Sequence, residues 1–328
     1  MKKILVTGGA GYIGSITSKI LVENEYEPII FDNLFNGKKE AIPNFDLIIG
    51  DLRNYSEIES AVQKIQPDAV IHFAAMKAAG ESMFIPEDYY ENNVGGSANL
   101  FKALIKNNVR KLVFSSTASL YGTPQKLPIK EEDIPQTENT YGHSKLLIEE
   151  MLAWMGKLNR FDSIRLRYFN AAGAMEDGSM GEDTKVFNNV IPILLHDVCI
   201  QKKEFSLFGD DYDTPDGTCI RDYVHVMDLA SAHIKALKYL ENFSGSDCIN
   251  IGTGQGYSLL ELVSMVKKAT GIDFPVNIKP RRVGDPSTVY ADNSKAKEVL
   301  GWTPKYGLVD IVESAWKWHS THPNGYQA

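Results

Sequence analysis

Ile4-Leu5-Val6-Thr7-Gly8-Gly9-Ala10-Gly11-Tyr12-Ile13-Gly14 is the stretch that decides how this chain folds. A short apolar run reads as a buried strand, and the glycines stop it. Beyond them Ile13, Ile16, Thr17, Ile20 and Leu21 fall at helical spacing. A strand passing through a glycine turn straight into a helix is the context a dinucleotide fingerprint needs. The spacing is Gly8-x-x-Gly11-x-x-Gly14 rather than the commoner G-x-G-x-x-G. The glycines have similar uses in both: a tight turn, close backbone approach to a pyrophosphate, and close helix–strand packing. The free N–H groups of the helix's first turn would face the phosphates. An ordinary glycine-rich turn is the bland alternative, and the flanking strand and helix argue against it.

Working outward, the same alternation repeats. Glu27 to Phe31 is a second strand ending at Asp32, 18 residues past Gly14. An acid there accepts both adenosine ribose hydroxyls and repels a 2′-phosphate, which points to NAD rather than NADP. Leu47 to Ile49 is a third strand, and Asp51 and Leu52 at its end can bracket an adenine ring. A helix over Glu57 to Ile65 and a strand over Ala69 to Ala75 follow, with small Ala74 and Ala75 letting backbone pass close to a cofactor. His72 inside that strand reads as a satisfied core histidine rather than a catalyst. Pro86 to Lys106 reads as mostly helix, and Gly95-Gly96 within it suggest close packing, since each glycine costs about 1 kcal/mol against alanine.

The strand Lys111 to Phe114 ends in three hydroxyls, Ser115-Ser116-Thr117, at the carboxyl edge where open α/β sheets bind ligands. A helix from Asn139 to Leu158 carries Tyr141 and Lys145, four apart and so one turn apart on one face. An ammonium fixed beside a phenol favours the phenolate and makes a general base without histidine. That spacing alone is common; its neighbours give it weight. With a further strand over Ser163 to Arg167, the pattern is α/β: a Rossmann-type doubly wound parallel sheet with a smaller mixed α/β C-terminal substrate domain.

Composition bounds the function. The 328 residues allow two domains, and 43% hydrophobic with 23% charged residues fits a globular protein. A net charge of −8 argues against nucleic acid as the main partner but not against a small anion held by local arginines. Cys199, Cys219 and Cys248 are too far apart to spell a disulfide framework or a zinc site, so no metal is expected. The N-terminal apolar run meets glycine too soon for a signal peptide, and no stretch suits a membrane span. The expectation is a cytoplasmic protein.

After Gly173 the character changes. We expect residues 1–174 to form the NAD-binding domain and 175–328 the substrate domain, with 225–252 returning to the first. Val186 to Cys199 reads as a helix carrying Asn188-Asn189, and Phe205 to Phe208 as a strand. Ser258 and Glu261 make a capping box at a helix start. Arg221 and Arg282 are candidates to hold a diphosphate, which wants planar, permanently charged, bidentate donors.

Gly8-x-x-Gly11-x-x-Gly14, Asp32, the Thr117 hydroxyl and Tyr141-x-x-x-Lys145 together resemble the extended short-chain dehydrogenase/reductase family. Tyr90-Glu91-Asn92-Asn93-Val94, Leu166-Arg167-Tyr168-Phe169-Asn170 and Arg221-Asp222-Tyr223-Val224-His225 narrow the resemblance to its UDP-hexose 4-epimerase branch, over nearly the whole chain. The resemblance implies interconversion of UDP-glucose and UDP-galactose through a 4-keto sugar, with NAD tightly bound. It implies that Tyr141, Lys145 and Thr117 are the catalytic set, with Lys145 lowering the tyrosine pKa and bonding the nicotinamide ribose. It implies NAD contacts from Tyr12, Ile13, Asn33, Asn36, Phe73, Lys77, Asn92, Ser115 and Tyr168 besides the residues above. Substrate contacts carried over are Lys77, Phe169, Asn170, Asn189, Arg221, Tyr223, Arg282, Asp285 and Val289.

The resemblance also implies that Val289 stands where a bulky tyrosine would restrict the site to plain hexoses, so some tolerance of UDP-N-acetylhexosamines is expected. Threonine at 117 takes the place of a frequent serine and keeps the hydroxyl. A 4,6-dehydratase would carry an acidic pair after that hydroxyl, where this chain has Ala118-Ser119. A non-catalytic NAD-binding regulator would have a broken tyrosine–lysine–hydroxyl set, and a simple ketone reductase would have no use for the long second domain. A homodimer, paired through the helices around 90–106 and 142–157, is also implied.

Overall fold

The computed structural model describes residues 1–282 and 284–327. Six parallel strands appear in the order the alternation requires: β1 (Lys2–Thr7), β2 (Tyr26–Asp32), β3 (Asp46–Ile49), β4 (Ala69–His72), β5 (Lys111–Thr117) and β6 (Asp162–Tyr168). A late strand, Ser246–Ile251, pairs parallel with β6 and completes a seven-stranded sheet. From that strand the spatial order runs β6-β5-β4-β1-β2-β3. The order reverses between β1 and β4, so the loops after them diverge and open a crevice at the carboxyl edge.

Strand pleating decides what covers each face. Ile4 and Val6 of β1 join a core with Leu229, Ala232 and Leu237 of the helix Val226–Tyr239, which packs beside α1 (Tyr12–Glu23). Leu5, between them, faces the other way. It packs with Ile58 and Val62 of α2 (Tyr55–Ile65), Leu100 and Leu104 of α4 (Gly96–Lys106), and Ile148 and Leu152 of α5 (Thr140–Lys157). A third core, around Leu194, Leu207, Leu262 and Val312, belongs to the C-terminal part. There the strand Phe205–Phe208 pairs parallel with Val276–Lys279. Ser258 caps its helix reciprocally: its Oγ accepts from the Glu261 N–H at 3.1 Å, and its own N–H donates to the Glu261 carboxylate at 2.7 Å.

Three elements differ from the sequence expectation. The strand after Lys111 does not stop at Phe114; it continues through Ser115, Ser116 and Thr117, because β6 pairs with it as far as Tyr168. Pro86 to Lys106 is not one helix. A one-turn α3 (Pro86–Tyr89) widens into a π-helical segment, Tyr90–Gly95, before α4 begins at Gly96. The wide turn brings buried Asn93 onto its partners: it accepts from the Met76 N–H at 2.8 Å and donates to the Met76 carbonyl and Ser144 Oγ, both at 3.0 Å. The helix expected from Val186 starts at Val190, and its turn from Ile193 to Ile200 is also wide. Asn189 precedes it in extended conformation.

Candidate active site

A cleft of about 870 Å³ lies at the carboxyl edge of the sheet, over the β1–β4 crevice. The glycine turn forms its floor. Gly8 has φ +71°, and a Cβ there would stand 2.6 Å from the Ala74 nitrogen. A Cβ on Gly14 would stand 2.3 Å from the Gly8 carbonyl oxygen. A side chain at either point would collide with neighbouring backbone, so only glycine lets the turn close this tightly. Gly11 caps α1 with extended backbone and no side-chain hydrogen bond, leaving first-turn N–H groups toward the cleft.

Asp32 ends β2 with both carboxylate oxygens engaged by main chain, Ala10 N–H at 3.0 Å and Leu34 N–H at 2.8 Å. Burial raises its pKa, and those two donors pull it partway back. Asp51 is held well below the usual carboxylate range by the Arg53 guanidinium, with Asn33 donating at 3.0 Å. Every residue singled out above for NAD, from Gly8 to Tyr168, lines this one cleft. Lys77 lines it with its Nζ 3.0 Å from Glu182.

The far wall brings β5, β6 and α5 together. Thr117, Tyr141 and Lys145 all line it, although α5 begins 23 residues beyond the end of β5. The Asn139 side chain caps α5 by accepting from the Gly142 N–H at 2.8 Å. The Ser82 hydroxyl accepts from the Tyr141 N–H at 3.1 Å. Lys145 donates to the Ser115 carbonyl at 2.8 Å and lies 4.7 Å from the Phe114 ring centre.

Burial dominates the electrostatics of this wall. Desolvation pushes the Tyr141 phenol up to about 12, and only the Thr117 hydroxyl draws it back. Desolvation also pulls Lys145 down to about 7, against the opposing pull of Glu149. Both groups share a dry wall, and burial penalises the charged form of each. His72 is a core residue, buried and hydrogen-bonded to Thr7 and Ser97 at 2.7 and 2.9 Å.

A smaller cavity of about 360 Å³ adjoins the cleft and shares Asn170, Asn189 and Arg282 with it. Arg221, Tyr223 and Asp285 line this second space, while Phe169 lines the first. Arg221 is not an unoccupied donor: it bonds Asp285, the Pro286 carbonyl at 2.7 Å and the Ile220 carbonyl at 2.7 Å. Arg282 stacks over Phe208, 4.2 Å from its ring centre. Val289 lines neither cavity. It pairs in register with Arg221 on a short strand and packs against the core that contains Phe169 and Ala291. Sequence reasoning missed Phe187, Thr184 and Phe208; they sit on loops or an edge strand and carry no periodic signal.

Comparison with known proteins agrees with this geometry. The family profile described as GDP-mannose 4,6 dehydratase matches residues 5–315. The UDP-glucose 4-epimerase of Lacticaseibacillus casei is 44% identical over 325 residues, covering 98% of each chain. A crystal structure of a UDP-glucose 4-epimerase superposes with a TM-score of 0.96 at 43% identity, covering 100% of each chain. The Bifidobacterium longum UDP-glucose 4-epimerase, solved with NAD+ and UDP, gives 0.95 at 40% identity, covering 99% of this chain and 100% of that one.

Proposed function

The chain belongs to the UDP-glucose 4-epimerase family of extended short-chain dehydrogenases/reductases, and from that premise we propose how its own residues perform the reaction. It is an isomerase that interconverts UDP-glucose and UDP-galactose at sugar C4, with NAD as cofactor. The observation that carries the assignment is one cleft holding the glycine cradle, Asp32 and the Thr117–Tyr141–Lys145 wall, continuous with a cavity lined by two arginines.

The turn at Gly8 and Gly14 fits a dinucleotide, because only glycine permits a strand-to-helix turn packed this closely on backbone, the form a pyrophosphate site takes. Asp32 would hold the adenosine ribose, Asp51 and Leu52 the adenine, and Lys145 and Tyr168 the nicotinamide end. NAD, when bound, supplies the acceptor and later the donor of hydride. Tyr141 takes the proton of the sugar 4-hydroxyl, with the Thr117 hydroxyl bonded to the reacting oxygen. The 4-keto sugar turns over, and Tyr141 returns the proton to an oxygen of opposite configuration. A base that needs a low pKa sits here in a dry wall, so the charged Lys145 is what must offset the burial of the phenolate.

Arg221 and Arg282 bind the diphosphate, with Arg221 exchanging some of its present carbonyl partners for phosphate oxygens. Asn170 and Asn189 contact the sugar phosphate and Asp285 the uridine ribose. Residues 1–174 with 225–252 form the NAD body, and 175–328 otherwise form the substrate body.

The working unit is a cytoplasmic homodimer joined through α4 and α5. An apolar groove lined by Tyr55, Ile105, Met151 and Met155 lies between those helices, and Trp154 on α5 and Leu158 just past its end are 63% and 64% exposed. Among the described residues no helix is long and apolar enough to cross a membrane. The decisive experiment is to purify the chain, assay it for co-purified NAD, and follow UDP-galactose conversion without added cofactor. Conversion is expected; strict dependence on added NADPH would overturn the reading.

A further inference from the structure

Behind the catalytic wall lies a buried charge cluster that the reaction scheme does not use. Successive residues of β5 point to opposite faces, so Ser115 and Thr117 line the cleft while Ser116 points away from it. Ser116 donates from Oγ to Glu149 at 2.5 Å. Glu149 is on α5, one turn beyond Lys145 and two beyond Tyr141, and its side chain is fully buried. Arg165 and Arg167 of β6, in register with Phe114 and Ser116, complete the cluster. Arg167 bonds both Glu149 oxygens, its Nε at 2.9 and 3.1 Å and a terminal nitrogen at 2.6 Å. Arg165 reaches the same carboxylate at 3.4 Å. Arg167 also donates to the Tyr121 hydroxyl at 2.8 Å, which in turn donates to Asn250 on the strand Ser246–Ile251 at 2.8 Å.

We infer that Glu149 is a positioning residue of the reaction: its one carboxylate locks the strand carrying Thr117 to the helix carrying Tyr141, and it keeps the Lys145 ammonium charged in a dry wall. This rests on reading Tyr141 and Lys145 as the proton-moving pair. The charged and titratable groups around Lys145 support it. Its own helix offers Tyr141 and Glu149. β4 offers His72, buried and depressed to about 3, hence neutral. β6 offers Tyr168, raised by burial and so un-ionised, together with the two arginines. From β5 come only the Phe114 ring and the Ser115 carbonyl. Glu149 is thus the anion of this neighbourhood, and it opposes the desolvation that would strip Lys145 of its proton. The same carboxylate sits one turn from the lysine on α5, pairs with both arginines of β6 and bonds Ser116, the residue between Ser115 and Thr117.

The test is the pH profile of kcat for the full-length chain converting UDP-galactose. Glu149→Gln keeps the side-chain volume and removes the charge. Its alkaline limb is expected to move down by about one pH unit or more, because Lys145 loses its proton earlier. The KM should stay near the wild-type value, since Glu149 touches no substrate. Ser116→Ala keeps the charge and removes only the tether, so kcat should fall about 3- to 10-fold at every pH with the limb unmoved. Glu149→Asp retains the charge at greater distance, and its limb should fall between those of wild type and Glu149→Gln. If Glu149→Gln does not fold, Glu149→Asp carries the test alone. An unmoved limb with evenly reduced kcat in the Glu149 variants overturns the proposal and leaves Glu149 as packing. If the wild-type chain fails to convert UDP-galactose but turns over another nucleotide sugar, the substrate assignment falls; the same limb shift, read on that reaction, still upholds or overturns the role of Glu149.

Discussion

In the larger cleft Asp32 is held by the main-chain N–H groups of Ala10 and Leu34, whereas in the smaller cavity Arg221 is held by Asp285 and by the carbonyls of Ile220 and Pro286. The first arrangement is local: a strand end and the glycine turn of its neighbour fix each other through backbone. The second gathers residues from short strands and loops between 170 and 285, and its cation and anion neutralise one another. A backbone site suits a cofactor that stays through many turnovers. A site of exchangeable side-chain pairs suits a substrate that must leave. The cofactor half should therefore tolerate loss of one side chain better than the substrate half does.

Tyr141→Phe should produce the largest effect, lowering kcat by roughly 10²- to 10⁴-fold while bound NAD, assayed after denaturation, stays at the wild-type level. Loss of NAD in that variant would move Tyr141 from chemistry to cofactor holding. Next, Arg221→Ala should raise the KM for UDP-galactose by about 30-fold or more, because it removes a diphosphate donor and strands the Asp285 carboxylate. Its NAD content should not change; if it does, the two halves are not separable. Asp32→Ala should weaken NAD relative to NADP by about tenfold or more, measured on apo-protein by titration, since hydrogen bonds to a charged acceptor are lost. An unchanged ratio would remove Asp32 from the cofactor site. Val289→Tyr should lower turnover of UDP-N-acetylglucosamine by about tenfold with little change for UDP-glucose. Because Val289 packs against the core that includes Phe169 rather than lining a cavity, this effect is the smallest of the four. Undetectable wild-type turnover of the N-acetyl sugar would sink it.

One further expectation concerns stability in both halves. Burial depresses His72 and His319 to about 3, and His225 and His233 to about 4. The unfolded chain takes up protons on these residues below about 6.5, while the folded chain does not. Stability is therefore full above that pH and is lost as pH falls, until the folded pKa values are passed. Each histidine contributes up to about 1.4 kcal/mol per pH unit within that window, read as a falling Tm from pH 7 to pH 5. A flat Tm over that range would mean the buried rings are protonated in the folded state.

The contrast between the halves also separates what could be read early from what could not. The glycine turn, Asp32 and the tyrosine–lysine spacing are local statements, because a tight turn or one helical turn brings their members together. Arg221 and Arg282 were legible as candidate anion holders, but their present partners were not, since an arginine's sequence neighbours do not say which carbonyl or carboxylate it meets. The helix expected over Pro86 to Lys106 widened at Tyr90–Gly95 because Asn93 must reach Met76 and Ser144, and hydrophobic periodicity carries no trace of that demand.

The amino-acid sequence by itself determined the alternation of strands and helices, the cradle at the first turn and the residue types of the Thr117–Tyr141–Lys145 wall. Those depend on side-chain period, on glycine's lack of a Cβ and on helical spacing. Only the tertiary structure decided the ionisation of that wall. Tyr141 and Lys145 looked like a pair in which the lysine acidifies the phenol. Folding buries both, pushes the phenol up and the ammonium down, and sets Glu149 behind them as the nearby anion. Desolvation is a property of the packed interior, and no spacing along a chain encodes it.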